Sequence, residues 1–117
     1  MIAMKVLVEP QNLSKVCNEA LILAALRDGP RHGYQLALEI ERRGRGRFRF
    51  NHGTLYPILH KLEKEGIIVG EWSSEDGGRK RKQYALTGRG RDYVEELLNS
   101  WSEFIERFRA VVGEGTP

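Results

Sequence analysis

Thr54-Leu55-Tyr56-Pro57-Ile58-Leu59-His60-Lys61-Leu62-Glu63-Lys64-Glu65-Gly66, running on into Ile67 to Glu75 and then Lys80 to Leu86, is the stretch that decides the fold. Leu55, Ile58, Leu59 and Leu62 recur at i, i+3, i+4 and i+7, one apolar face of a helix. Gly66 is its stop. Pro57 is tolerable if Thr54 is the N-cap, because its missing N–H then falls in the first turn; a start at Asn51 predicts a kink instead. Ile67 to Glu75 and Lys80 to Leu86 read as two strands. Ser74-Glu75-Asp76-Gly77-Gly78-Arg79 between them reads as a hairpin connection.

Upstream, a helix starts near Asn12 or Ser14, either of which can cap it. Leu13, Val16, Cys17, Ala20, Leu21, Leu23, Ala24 and Leu26 give it a dense apolar face, as expected of a core helix. Gly29-Pro30 ends it. A shorter helix follows from about Gly33 to Arg43, with Leu36, Ala37 and Ile40 inward and Gly44 as its stop. Arg45, Arg47 and Arg49 then alternate with Gly46, Phe48 and Phe50, which suggests a short strand or extended connector with its aromatics inward.

Downstream, Thr87 caps a long helix over 88–112, ending before Gly113. The order is three helices, a hairpin and a long helix. That predicts a mostly α fold with a β-hairpin: a winged helix-turn-helix plus a long C-terminal dimerisation helix. The expected division is a DNA-binding domain over 12–87, the dimerisation helix over 88–112, and extended or flexible termini at 1–11 and 113–117.

The chain has 117 residues, which fits a single such unit. One cysteine, Cys17, excludes an internal disulfide framework and a Cys-rich zinc site. Cys17 itself reads as a small core residue. No apolar run approaches the ~18–20 residues of a membrane span, and Met1 to Val8 is too short an apolar start for a secretory signal. The expected compartment is a reducing cytoplasm.

The formal net charge is only +3, yet it is unevenly placed. Residues 1–30 carry 3 basic and 3 acidic side chains, residues 31–91 carry 14 and 7, and residues 92–117 carry 2 and 6. The middle is therefore +7 and the last segment −4. A basic middle points to a polyanion.

Within it, the face of the third helix opposite Leu55, Leu59 and Leu62 holds Gly53, Pro57, His60, Lys61 and Lys64, with Thr54 and Tyr56 on its flanks and Asn51 and His52 at its entrance. Small residues allow close approach to a groove wall. Thr54 and Tyr56 suit phosphates, and His60 and Lys61 reach base edges. The plainer alternative is an amphipathic helix with a solvated face. Arg79-Lys80-Arg81-Lys82 is more specific: four consecutive cations repel one another unless something anionic neutralises them, and a phosphate backbone would.

In the last helix Val94, Leu98, Trp101, Ile105, Phe108 and Val112 step as a heptad seam. Leu97, Trp101, Phe104, Phe108 and Val111 form a second one. The face is broader than a small domain covers, so packing against the first helix is expected together with a homodimer across a two-fold axis. Such a dimer places two reading helices ~34 Å apart, matching a palindromic site.

Catalysis finds no constellation. His32, His52 and His60 lack Cys partners at metal spacing, and no nucleophile elbow, phosphate loop or H-E-x-x-H is present. No enzyme, metal or cofactor is expected. The competing class is a winged helix used as a protein-interaction scaffold, its basic face meeting an acidic partner.

His32-Gly33-Tyr34, the run from Gly53 to Ile68, Arg79-Lys80 through Tyr84-Ala85-Leu86-Thr87, and Gly90-Arg91 resemble the PadR family of bacterial transcriptional regulators over about 18–112. The short C-terminal region resembles the smaller subfamily, with one dimerisation helix. The resemblance implies a winged-helix repressor that binds a double-stranded, palindromic operator as a homodimer. In multidrug-responsive members, a Trp of the last helix and its symmetry mate sandwich flat aromatic ligands. Carried over through Ser100-Trp101-Ser102, this makes Trp101 the candidate contact for a small planar aromatic effector. Gly88-Arg89-Gly90 departs from the Pro-x-Gly of many relatives, which touches only the helix start.

Overall fold

The computed structural model describes residues 15–75 and 79–113, with 74, 75 and 79 in backbone only. The readings made for 1–11, for the cap at Asn12 or Ser14, for the Gly77-Gly78 turn and for 114–117 lie outside these residues. The element order is α1 (Lys15–Leu26), β1 (Arg31–His32), α2 (Gly33–Arg43), α3 (His52–Lys64), β2 (Ile68–Glu75), β3 (Arg79–Leu86) and α4 (Gly88–Val112). β3 is central in an antiparallel sheet of order β1-β3-β2, with Arg31 opposite Tyr84 and Trp72 opposite Lys82. This is a winged helix-turn-helix followed by a long helix.

The core sits where α1, α2, α3 and the sheet meet. Ile22, Leu23, Leu36, Leu55, Leu59, Leu62, Ile68 and Tyr84 are buried there. Each fully buried aliphatic side chain contributes ~1.5–3 kcal/mol by leaving water, so this cluster fixes how α3 is presented. Val16, expected on the buried face of α1, is instead exposed, and Cys17 is only half-buried. Val16 and Cys17 lie in the first turn of α1, ahead of the run from Asn18 to Leu26 that holds its buried residues.

The connector between α2 and α3 is irregular and not a strand. Its aromatics do turn inward: Phe50 is buried and Phe48 packs on the core, while Arg45, Arg47 and Arg49 are exposed. Arg45 adopts φ 53° and Gly46 φ 79°, a left-handed step that reverses the chain after α2.

Asn51, not Thr54, caps α3: its Oδ1 accepts from the Thr54 N–H at 2.9 Å. Pro57 therefore lies beyond the first turn and removes one backbone hydrogen bond, yet the helix continues through it to Lys64 without interruption. The bond lost is the one to the carbonyl of Gly53, an exposed residue that water reaches.

α4 is launched by Thr87. Its Oγ1 accepts from the Gly90 N–H at 2.9 Å and donates to the Gly66 carbonyl at 2.7 Å. One hydroxyl thus ties the end of α3 to the start of α4. Gly90 passes so close to the turn before β2 that a Cβ there would lie 2.0 Å from the Ile67 carbonyl oxygen. At the far end Gly113 closes the helix in the left-handed conformation, φ 89°. The radius of gyration, 16.2 Å, exceeds the ~13 Å of a globule of this length. The excess reflects α4, whose 25 residues span ~37 Å.

Val94 corrects the interface expected on α4. It is 1% exposed and belongs to the chain's own core, so it is not available to a second copy. Leu97 and Leu98 are half-buried and also pack on that core. The bare part of the seam begins beyond Trp101, at Phe104, Ile105, Phe108, Val111 and Val112.

Candidate nucleic-acid interface

α3 presents its N-terminus and one flank outward. Asn51, His52, Gly53, Pro57, His60 and Lys64 are all exposed, and Thr54 and Tyr56 are half-buried. No acidic residue occupies its first turn, so the positive end of the helix dipole and its free N–H groups are open to an anion. His52 meets Tyr56 edge-on, with ring centroids 5.4 Å apart. Tyr56 in turn lies against Gly33 at the start of α2, where a Cβ would come within 2.7 Å of its hydroxyl. A glycine at the α2 N-terminus therefore lets the two helices close on the tyrosine.

The wing is the β2–β3 hairpin. Lys80 and Arg81 are exposed and form no ion pair among the described residues. Arg79 stands opposite Glu75 in the register, but its side chain lies outside the described set. A cleft of about 650 Å³ separates wing from reading helix, and Tyr56, His60, Trp72, Lys80, Lys82 and Tyr84 are among its walls. His32 at the base of α2 helps close it, with Nδ1 3.3 Å from the Lys82 carbonyl.

Two of the lysines expected to face an anion are engaged within the protein. Lys61 reaches back to α1, with Nζ 2.6 Å from Glu19 Oε2, and Glu19 is buried. Lys82 crosses to α3 and places Nζ 2.9 Å from Glu63 Oε1. Hydrogen bonding to these carboxylates raises both lysine pKa values above the ordinary ammonium range. Lys61, expected to reach a base edge, remains exposed and here directs its ammonium toward Glu19 of α1. One of the four wing cations is likewise neutralised from inside.

Trp72, which the sequence reading did not single out for this face, stands 66% exposed on the wing. Its placement follows from the register opposite Lys82, and register is not written in composition or period. Elsewhere, Trp101 is half-buried on α4. It lines a small apolar notch of about 170 Å³ with Val16, Leu97, Ser100 and Phe104, and meets Phe104 edge-on at 5.7 Å. Among the described residues no group of His, Cys, Asp or Glu is placed to hold a metal, and no helix is long and apolar enough to cross a membrane.

Residues 22–96 match the family model described as the transcriptional regulator PadR-like family. The chain belongs to this family. A curated relative, the transcriptional regulator Rv3488 of Mycobacterium tuberculosis, is 41% identical over 92 residues, 79% of each chain. Among solved structures, a PadR-like transcription factor from Bacteroides fragilis superposes with a TM-score of 0.71 at 30% identity, over 83% of this chain and 91% of that one. Bacillus subtilis PadR in complex with operator DNA superposes at 0.64 with 27% identity, over 70% of this chain but only 45% of that longer one. These relatives are transcriptional regulators and not enzymes. This PadR-like chain carries the same winged helix, ended by a single long α4.

Proposed function

We propose that this PadR-like regulator binds a double-stranded, palindromic operator as a homodimer and represses transcription. α3 lies in the major groove and the wing lies along the backbone. The observation that carries the reading is the side-by-side exposure of α3 and the wing across one cleft, with Lys80 and Arg81 forming no ion pair among the described residues. Base contacts fall to His60, Lys64 and the first turn of α3; phosphate contacts fall to Lys80, Arg81 and the helix N-terminus. The structure of Bacillus subtilis PadR with operator DNA supports DNA as the partner.

The bare apolar half of α4 supports the dimer, because an exposed stripe of two phenylalanines and three aliphatics is costly in water. Trp101, beside that stripe, is assigned to a flat aromatic effector at the dimer centre. Quenching of Trp101 fluorescence by planar aromatics, in a variant with Trp72→Phe, tests this assignment; no quenching by any such compound counts against it.

DNA binding is tested by fluorescence anisotropy with the promoter upstream of the protein's own gene, over a range of salt. Affinity should fall with a log–log slope of ~−0.9 per neutralised phosphate. Arg81→Ala should weaken binding to all sequences alike and flatten the slope by ~0.9 per protomer. His60→Ala should relax discrimination by ~1–3 kcal/mol at the bases it reads. Failure to bind any DNA at low salt sinks the reading and leaves an acidic protein as the partner of the basic face.

A further inference from the structure

The cations beside the cleft divide into two kinds. Lys64, Lys80 and Arg81 point into solvent with no ion-pair partner among the described residues, whereas Lys61 and Lys82 are held by carboxylates. The holding is built in. The Lys82 stem crosses the backbone of Gly70, where a Cβ would sit 2.4 Å from its Cε, so any larger residue there would push the stem aside. Its ammonium then lies 5.7 Å and 5.5 Å from the ring centroids of Trp72 and Tyr84, and 2.9 Å from Glu63. Glycine, two rings and a carboxylate together define one position for this lysine. Lys61 is fixed differently: the carboxylate of Glu19 is only 6% exposed, and releasing Lys61 would leave this buried anion with only a neutral donor, the Tyr93 hydroxyl at 3.5 Å, among the hydrogen bonds described.

We propose that Glu63 and Glu19 are specificity-determining positioning residues that withhold Lys82 and Lys61 from DNA phosphates. The proposal rests on the DNA-binding reading above. Phosphate contacts strengthen binding to every sequence alike and carry no base information. A protein that keeps two lysines per protomer off the backbone binds all DNA less tightly, and the base contacts of α3 then make up a larger share of the total. The same pairs fix geometry, since Glu63 fastens the wing to the reading helix and Glu19 fastens the reading helix to α1.

The experiment uses the full chain and measures anisotropy with operator and scrambled duplexes over a range of salt. Glu63→Gln and Glu19→Gln should each bind scrambled DNA several-fold more tightly. Each should steepen the salt slope by ~0.9 per freed lysine, ~1.8 for a dimer, and lower the operator-to-scrambled ratio. Adding Lys82→Met to Glu63→Gln should return the slope to that of the parent, because the freed cation is the source. Glu71→Gln, on the exposed wing surface, should leave the slope unmoved, which separates a freed lysine from the mere loss of a negative charge. If Glu19→Gln fails to fold, Glu63→Gln with and without Lys82→Met carries the test, since Glu63 and Lys82 are both partly exposed.

Unchanged slopes and ratios in the Gln variants overturn the proposal. So does a uniform loss of affinity with an unchanged slope, which is what a purely structural pair would give. Absence of any binding by the parent protein overturns this proposal and the DNA reading together, whereas binding by the parent with unmoved variants overturns this proposal alone.

Discussion

Both halves of α4 carry large apolar side chains, and these meet opposite fates. Val94 is 1% exposed and Val111 86%, though both lie on the same continuous helix. The first half is seated on the winged unit through Gly90, Val94, Leu97 and Leu98. The second half extends past it, and beyond Trp101 its large apolar side chains are exposed among the described residues. The difference separates two tasks that the heptad pattern runs together. Packing on the winged unit reaches Leu98, and the exposed apolar stripe begins beyond Trp101.

Breaking the seated half should have the larger effect. Gly90→Ala places a Cβ against the backbone oxygen of Ile67 at 2.0 Å, and a backbone atom has nowhere to go. The expected loss is ~3 kcal/mol or more, seen as a fall of at least ~10 °C in the thermal midpoint. Gly88→Ala, two residues earlier, meets nothing within 4 Å and should leave the midpoint within a few degrees. If the two variants melt together, the close seating of α4 on the Ile67 backbone is wrong.

Breaking the bare half should change association and leave the fold intact. Phe104 and Phe108 are 59% and 58% exposed, and their rings stack on each other at 6.5 Å along one stripe. Phe104→Glu with Phe108→Glu should weaken dimerisation at least ~100-fold, read by sedimentation equilibrium. Far-ultraviolet circular dichroism of the monomer should still report the winged unit. A dimer that survives both charges places the interface elsewhere.

The same contrast marks what was legible in the sequence. Helix limits were, because Gly44, Gly66, Thr87 and Gly113 act locally and need no partner to be read. The hairpin was legible from its two apolar-bearing runs. β1 was not: two residues have no period, and Arg31 and His32 become a strand only because β3 runs beside them. Asn51 and Thr54 were equally good caps on paper, and the bond from the Thr54 N–H to Asn51 decided between them. The exposed face of α3 followed from its period, yet Lys61 and Lys82 looked free because their carboxylate partners are 42 and 19 residues away in sequence. Val94 was assigned to an interface for the related reason that a seam fixes which side of a helix is apolar and not which molecule covers it.

The smallest of these effects should come at the joint where the seated half begins. Thr87 is the only side chain described as hydrogen-bonding both to the end of α3, at Gly66, and to the first turn of α4, at Gly90. Thr87→Ala removes an N-cap, a loss of ~1 kcal/mol, and should lower the thermal midpoint by ~4–8 °C. Thr87→Ser keeps the hydroxyl and should recover most of it. Neither change touches Phe104 or Phe108, so the dimer measured well below the midpoint should keep its affinity. Were Thr87→Ala to weaken the dimer as strongly as the two glutamates do, the halves of α4 would not be separable. The bare stripe would then depend on how the helix is launched, twenty residues earlier, and the boundary near Leu98 would have no physical meaning.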